Sequence, residues 1–259
     1  MDPARDGAPP GVVKPLQDLR VKVFADGAEL ALLAELARNP LVSGFTTNPT
    51  LMRCAGVPAY ESFAKKALKI VGDRPISFEV LADDFDEMWR QAVELASWGP
   101  TVYVKIPITN TSGKSSCGLI RDLTQAGVRV NVTAVLTLDQ VAEAVEALQG
   151  GAPSVVSVFA GRVADTGVDP VPHMAEALTM VRRSQGVELL WASPRELLNV
   201  FQADRVGCDI ITVTNDVLSK LPLVGKDLAT VSLETVKMFY RDATSAGYTI
   251  KTSGRPRPT

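Results

Sequence analysis

The sequence predicts a single (β/α)8 TIM barrel of the α/β class, and three observations support this prediction. The chain has 259 residues, close to the ~250 typical of the fold. Eight short runs rich in β-branched residues recur at intervals of 20 to 34 residues, which fits one strand, one crossover helix and two short loops. Segments with helical periodicity lie between the runs.

The alternative is an open, doubly wound sheet. The closed barrel is favoured because eight similar units use up the length of the chain. In addition, no glycine-rich dinucleotide-binding turn follows the first run.

Each apolar run predicts one strand of the barrel. In order, the runs are VKVFAD from Val21, GFTTN from Gly44, ISFEVL from Ile76, TVYVKIP from Thr101, RVNVTAV from Arg129, SVVSVFA from Ser154, ELLWAS from Glu188 and CDIITVT from Cys208.

Helices are predicted between these strands. The pattern gives one helix from Asp84 to Trp98 and another over Glu29 to Arg38, after the first strand. A third helix, Thr137 to Leu148, begins with the Thr-x-x-Gln pattern of a capping box. In the Asp84 to Trp98 helix, the side chains expected to face the core are Phe85, Met88, Trp89, Ala92, Val93 and Leu95.

We expect one catalytic domain between two unstructured ends. Residues 1–20 are predicted to be a flexible N-terminal arm, residues 21–250 the barrel, and residues 251–259 a disordered tail. The start of the chain lacks the basic and apolar parts of a secretory signal, and no run of eighteen mainly apolar residues occurs. A cytoplasmic protein without a membrane partner is therefore expected.

Composition excludes several classes of function. Lys plus Arg is 27 and Asp plus Glu is 29, so the net charge of −2 gives no basic footprint for nucleic acid. The three cysteines show no CxxC spacing, which argues against a disulfide framework or a zinc site. His173 is the single histidine, so a multi-histidine metal site has too few ligands.

Polar residues near the carboxyl ends of the predicted strands form the candidate site, because barrel active sites lie at that end. These residues are Asp26, Asn48, Glu79, Lys105, Asn131 with Thr133, Ser157 and Ser193. Lys105 stands out because apolar neighbours flank it, and burial favours a neutral amine that can form a Schiff base with a carbonyl. The alternative is a buried ion pair with Glu79 or Asp26.

Asp26 and Glu79 also allow two interpretations each. Asp26 can act as a general base or as the N-cap of the following helix, and the residues alone favour the cap. Glu79 lies on an apolar strand, where a carboxyl group is suited to moving protons, and the alternative is again a salt bridge.

Two segments are candidates for binding phosphate. Arg162 follows Gly161 at the end of the sixth run, and a guanidinium there could hold a phosphate through two nitrogens. Ser193 at the end of the seventh run and Arg195 just after it repeat this pattern. Ser193 also fits an N-cap with Pro194 at the first helical position, and a helix N-terminus itself favours a phosphate.

Taken together, these motifs resemble the transaldolase family, which includes enzymes similar to fructose-6-phosphate aldolase. The resemblance covers residues 21–248. It is carried by FADGA from Phe24, GFTTNPT from Gly44, VKIP from Val104, NVTAVLT from Asn131, SVFAGR from Ser157 and ASPRE from Ala192.

The resemblance implies a cofactor-free and metal-free transfer of a dihydroxyacetone unit through a Schiff base. The donor would be a ketose phosphate of the sedoheptulose 7-phosphate or fructose 6-phosphate type, and the acceptor an aldose phosphate. Lys105 would be the nucleophile, and Asp26 would take the proton of the donor's C4 hydroxyl. Glu79 and Thr133 would hold the water that shuttles protons.

The same resemblance assigns the residues that bind the sugar. Asn48, Asn131 and Ser157 would bind hydroxyls of the three-carbon fragment. Arg162, Ser193 and Arg195 would anchor the phosphate. Enzymes of this family form dimers and larger rings, so a homo-oligomer is expected. The expected pathway is pentose phosphate metabolism, and a specialised sugar pathway is the alternative.

Two other hypotheses about the function stay open. A related aldolase releases free dihydroxyacetone, but that branch tends to carry Gln at the position of Glu79 and Tyr at that of Phe159, so the chain resembles the transferase branch. The other reading is a non-catalytic barrel that binds sugar phosphates. Pro194 departs from the family, which usually has an aromatic residue there.

Overall fold

Eight parallel strands pair in chain order and close into a barrel in the computed structural model of the chain. The structure describes residues 14–252 and residue 254. The strands are β1 (Lys22–Asp26), β2 (Val42–Thr46), β3 (Ile76–Glu79), β4 (Val102–Pro107), β5 (Val130–Val135), β6 (Ser154–Val158), β7 (Val187–Trp191) and β8 (Ile210–Thr214). The predicted (β/α)8 barrel is therefore confirmed.

Every connection between consecutive strands carries at least one helix. The helices are α1 (Leu30–Leu36), α2 (Pro49–Cys54), α3 (Tyr60–Val71), α4 (Phe85–Ser97), α5 (Cys117–Gln125), α6 (Leu138–Leu148), α7 (Ala160–Asp165), α8 (Pro170–Val181), α9 (Leu198–Val206), α10 (Asn215–Leu218) and α11 (Leu228–Ser245). Two 3-10 helices span Leu16–Asp18 and Leu221–Leu223.

All eight predicted strands are present, with ends that differ from the prediction by two residues at most. The difference at β2 has a clear cause. The prediction ran from Gly44 to Asn48, but β2 ends at Thr46 because Asn48 already caps α2, with its side chain accepting a hydrogen bond from Leu51 N at 2.9 Å.

The predicted helices are confirmed with small corrections. α6 begins with the predicted capping box of Thr137 and Gln140. α4 is capped by Asp84, and its buried side chains are Met88, Ala92 and Leu95. Val93 was predicted to face the core but is 44% exposed, because it lies beside this buried stripe. The helix expected over Glu29 to Arg38 is shorter, since it spans only α1.

Apolar side chains fill the space between strands and helices and also the inside of the barrel. A large cluster joins strand residues such as Phe45 and Phe78 to the helices. A second cluster contains Phe24 of β1 with residues of β6, β7 and β8. Gly44 of β2 makes room for this cluster, because a Cβ atom there would lie 2.5 Å from the Phe24 ring. The closed barrel therefore has a packed interior.

The chain divides into two compact units, one ending at Leu221 and one beginning at Pro222. The first unit contains the barrel. At its start, Lys14 forms an ion pair of 2.6 Å with Asp204, whose other oxygen accepts hydrogen bonds from the backbone of Arg20 and Val21. Most of the expected arm (residues 1–13) and of the expected tail (253 and 255–259) lies outside the described residues.

The second unit contains α11, which has no buried residue. Several large apolar side chains of this helix are exposed, among them Leu233, Val236, Phe239 and Tyr240. Of the described helices, none combines the length and the apolar character that crossing a bilayer requires.

Candidate active site

Three of the expected site residues lie side by side because of the strand register. Glu79 of β3 is paired with Lys105 of β4, and Lys105 is paired with Asn131 of β5. Paired residues on neighbouring strands point to the same side of a sheet. The parallel pairing therefore brings a carboxylate, an amine and an amide together at one level of the barrel.

Lys105 is buried, with 6% of its surface exposed. Its Nζ donates a hydrogen bond to the backbone oxygen of Thr47 at 3.0 Å and lies 3.3 Å from Oε2 of Glu79. The ion pair with Glu79 that the sequence left as an alternative is thus present. It does not exclude nucleophilic chemistry, because a carboxylate at this distance can also accept the amine's proton.

Asp26 lies at the end of β1 and accepts a hydrogen bond of 2.7 Å from the Thr46 hydroxyl. That hydroxyl also contacts the hydroxyl of Thr212 on β8. Burial raises the pKa of Asp26 above its ordinary value, while the charge of Lys105 and the hydrogen bond from Thr46 act in the opposite direction. The N-cap reading of Asp26 is wrong, because Glu29 occupies the cap of α1.

Asn131 is the centre of a buried hydrogen-bond network. Its Nδ2 donates to Ser77 Oγ at 3.0 Å, and its Oδ1 accepts from Ser157 Oγ at 2.6 Å. These bonds fix the orientation of the amide from both sides. Thr133, two residues further along β5, is also buried, and its Oγ1 has no hydrogen-bond partner within the described part of the chain.

The two segments with the predicted phosphate-binding residues touch each other. Gly161 N donates to the backbone oxygen of Ala192 at 3.3 Å, so α7 begins beside the end of β7. Arg162 is exposed and its guanidinium lies 5.6 Å from the centre of the Phe159 ring. Ser193 adopts a φ of +57°, which is rare for a residue with a side chain.

Arg195 is held by a residue that the sequence did not indicate. Its Nε donates to Asp165 at 2.8 Å, a terminal nitrogen binds the other oxygen of the same carboxylate, and Nη1 donates to the Ser193 oxygen at 3.1 Å. The hydrogen bond from Arg195 lowers the pKa of Asp165.

The reading of Ser193 as an N-cap is wrong. The helix after β7 begins only at Leu198, and the preceding segment is held by Asn199, whose Oδ1 accepts from the backbone of Arg195 and Glu196. The helix therefore starts four residues later than Pro194.

The described residues contain no group of three or more histidine, cysteine or acidic side chains close enough to hold a metal ion.

A family model for transaldolase and fructose-6-phosphate aldolase matches residues 23–252 of the chain. The chain belongs to this family.

Curated relatives agree with this assignment. A probable transaldolase from Chelativorans sp. strain BNC1 is 36% identical over 212 residues, covering 80% of this chain and 93% of the relative. One from Methanococcus maripaludis strain C7 is 35% identical, covering 78% of this chain and 89% of the relative. A probable transaldolase 2 from Listeria monocytogenes strain EGD-e is 33% identical, covering 80% and 93%.

Solved structures outside the transaldolase family share its fold. A mandelate oxidase aligns with a TM-score of 0.53 at 18% identity, covering 90% of this chain and 81% of that chain. A 2,3-dimethylmalate lyase aligns with a TM-score of 0.53 at 12% identity, covering 93% and 89%. At such low identity these likenesses show the barrel fold alone.

Within this transaldolase-family barrel, the site residues on most strands stand out in the sequence, but the residues that form hydrogen bonds with them do not. Thr46 and Thr212 bind or flank Asp26, Ser77 binds Asn131, and Asp165 binds Arg195. Thr46 and Ser77 lie within predicted strands, so their position was a signal. Asp165 lies in a helix, and only its pairing with a distant arginine distinguishes it from an ordinary surface carboxylate.

Proposed function

We propose that the protein is a transaldolase that moves a dihydroxyacetone unit from a ketose phosphate to an aldose phosphate through a Schiff base on Lys105. The donor is of the sedoheptulose 7-phosphate or fructose 6-phosphate type. The observation that carries the proposal is the environment of Lys105: a buried amine 3.3 Å from the Glu79 carboxylate. Relatives named probable transaldolase support the same activity.

The reaction begins when the Lys105 amine, after giving a proton to Glu79, attacks the C2 carbonyl of the donor. The resulting carbinolamine loses its hydroxyl group as water and becomes a protonated imine. Glu79 returns the proton that this loss requires, and the Thr133 hydroxyl helps to hold the water. Thr133 suits this role because its Oγ1 is buried and retains its hydrogen-bonding capacity.

Asp26 then acts as the base for carbon–carbon cleavage. It removes the proton of the C4 hydroxyl, the C3–C4 bond breaks, and the electron pair moves into the imine to form a neutral enamine. The departing aldehyde carries the C4 oxygen as its carbonyl. Burial, which raises the pKa of Asp26, makes its carboxylate a better base at neutral pH.

The transfer ends with the reverse steps on a new aldehyde. The enamine attacks the acceptor carbonyl, Asp26 returns the proton to the new hydroxyl, and water hydrolyses the imine to release the product and the Lys105 amine. Asn131 and Ser157 bind hydroxyls of the three-carbon fragment. Asn48 binds the same fragment through its side-chain amide. Arg162, Ser193 and Arg195 bind the phosphate.

Trapping the covalent intermediate tests this proposal. Borohydride added with fructose 6-phosphate should reduce the imine and add a three-carbon mass to the peptide that contains Lys105. Lys105→Ala should give no adduct, whereas Lys114→Ala, which changes an exposed lysine, should give the wild-type adduct. Absence of the adduct, or an adduct on another lysine, would reject Lys105 as the nucleophile.

The same donor separates the transferase from an aldolase that releases dihydroxyacetone. We expect product formation to require an acceptor such as erythrose 4-phosphate, because Glu79 and Phe159 are the residues that the family resemblance associates with the transferase branch. Release of free dihydroxyacetone at an equal rate without an acceptor would favour the aldolase. Binding without turnover would indicate a non-catalytic barrel.

We further propose that the enzyme works in the cytoplasm, in pentose phosphate metabolism, as a homo-oligomer. The exposed apolar side chains of α11 support an oligomer, since such patches mark interaction surfaces.

A further inference from the structure

The strands β2 and β3 are paired over only a short length beside the candidate active site. The two strands are paired at Phe45 with Ile76 and at Thr46 with Ser77, and Thr47 N donates to the Ser77 oxygen at 3.2 Å. β2 then leaves the sheet, while β3 continues to Glu79. Backbone groups alternate between the two neighbouring strands of a parallel sheet, so the N–H and C=O of Glu79 face the side that β2 no longer covers.

The hydroxyl of Tyr60 occupies this place. It donates a hydrogen bond to the Glu79 backbone oxygen at 2.8 Å and accepts one from the Glu79 N–H, also at 2.8 Å. One side chain from the first turn of α3 therefore satisfies both backbone groups that the missing strand would bind. A buried backbone group without a partner is costly, so these bonds hold the end of β3 firmly.

Aromatic packing holds Tyr60 itself. Its ring lies edge-on to the Phe78 ring, with centres 6.3 Å apart, and 6.2 Å from the Trp98 ring. Burial raises the pKa of Tyr60, which keeps the hydroxyl protonated and able to donate. The three rings form one cluster, since Phe78 and Trp98 also pack against each other with centres 6.0 Å apart, and this cluster holds the Tyr60 ring that carries the hydroxyl.

The other edge of β3 is bound to β4, where Val80 N donates to the Lys105 oxygen at 3.2 Å. Glu79 is therefore held by Tyr60 on one side and by the strand of Lys105 on the other. We propose that Tyr60 is a positioning residue that fixes the Glu79 carboxylate at its distance from the Lys105 amine. This inference rests on the proposed role of Glu79 in proton transfer.

A double-mutant cycle tests the inference. Tyr60→Phe keeps the ring and removes both hydrogen bonds, and we expect kcat to fall about tenfold with KM for fructose 6-phosphate changed less than twofold. In a Glu79→Gln background the same substitution should change kcat less than twofold, because the group that Tyr60 positions is already disabled. Tyr103→Phe is the matched control, since burial and nearby charges, but no hydrogen bond, act on the Tyr103 hydroxyl within the described residues.

Three outcomes would overturn the inference. Unchanged kcat in Tyr60→Phe, even with a lower melting temperature, would make the two hydrogen bonds between Tyr60 and Glu79 purely structural. An equal loss of kcat in both backgrounds would show that Tyr60 does not act through Glu79. Wild-type kcat in Glu79→Gln would reject the proposed role of Glu79, and with it the inference. If Tyr60→Phe fails to fold, Trp98→Phe, which loosens the ring and keeps both hydrogen bonds, should give a smaller loss that also vanishes with Glu79→Gln.

Discussion

Two nitrogens of the Arg195 guanidinium donate hydrogen bonds to the Asp165 carboxylate, and the third donates to the backbone oxygen of Ser193. Both charged side chains are about half exposed, at 47% for Arg195 and 52% for Asp165. A pair this exposed is largely screened by solvent and adds little to stability. A phosphate that binds Arg195 therefore competes with a carboxylate of the chain itself.

Removing the charge of Asp165 should strengthen the binding of phosphorylated donors. We expect Asp165→Asn to lower KM for fructose 6-phosphate by roughly two- to fivefold, the range that an exposed ion pair allows. KM for unphosphorylated fructose should not change. Steady-state kinetics with both sugars gives the comparison, and Glu176→Gln, an exposed carboxylate on α8, controls for net charge. A higher KM for the phosphate would mean that Asp165 orients Arg195 instead of competing for it.

Replacing Asp26 should make stability less dependent on pH and should also lower the activity. Because burial raises the pKa of Asp26, the native state binds the proton more tightly than the unfolded state does. The native state therefore loses stability as the pH rises through that raised value. Asp26→Asn should flatten this loss, which runs from the ordinary pKa of an aspartate up to the raised value, by about 2–4 °C in Tm and lower kcat by at least about 100-fold.

Thermal melts at several pH values check the first part of this prediction, and steady-state assays check the second. Asp122→Asn, an exposed position on α5, should keep the wild-type pH dependence and kcat. A steeper loss of stability in Asp26→Asn would contradict the assignment of the raised pKa to burial.

The barrel could be predicted because each buried parallel strand is a short apolar run, and the closure of the barrel follows from eight evenly spaced runs. The ends of the elements were harder to place. Asn48 looked like the end of a strand, but its side chain caps α2. Ser193 and Pro194 have the residue types of a helix start, but a left-handed backbone at Ser193 delays the helix to Leu198.

The sequence predicted the charged residues of the candidate site, but it did not predict the residues that form hydrogen bonds with the site residues. Lys105 and Glu79 stand out because charged residues in apolar runs are rare. Asp165 and Tyr60 do not, since a carboxylate and an aromatic residue are ordinary on helices. Their roles depend on contacts across 30 and 19 residues of sequence, which local patterns cannot show.

A carboxylate on α11 should dissociate the proposed oligomer. Leu233, Val236 and Tyr240 are exposed and lie three and four residues apart, so they share one face of the helix. We expect Val236→Asp to give a smaller species than the wild type by light scattering, because an interface would bury the new charge. Arg241→Asp places the same group on a polar position and should keep the wild-type mass. A monomeric wild type would contradict the proposal.

Adding one methyl group at Gly161 should disrupt the junction between α7 and the end of β7. A Cβ atom there would lie 1.5 Å from the Ser193 oxygen and 3.4 Å from Cζ of Arg195, so the backbone itself has to move. We expect Gly161→Ala to lower Tm by about 4–12 °C, which corresponds to ~2–3 kcal/mol, and to raise KM for fructose 6-phosphate. Gly118→Ala in α5 has no atom within 4 Å of the new Cβ and should raise Tm slightly. Thermal melts and donor kinetics on the two variants check this contrast, and equal behaviour would show that the Ser193 segment yields without affecting the phosphate-binding residues.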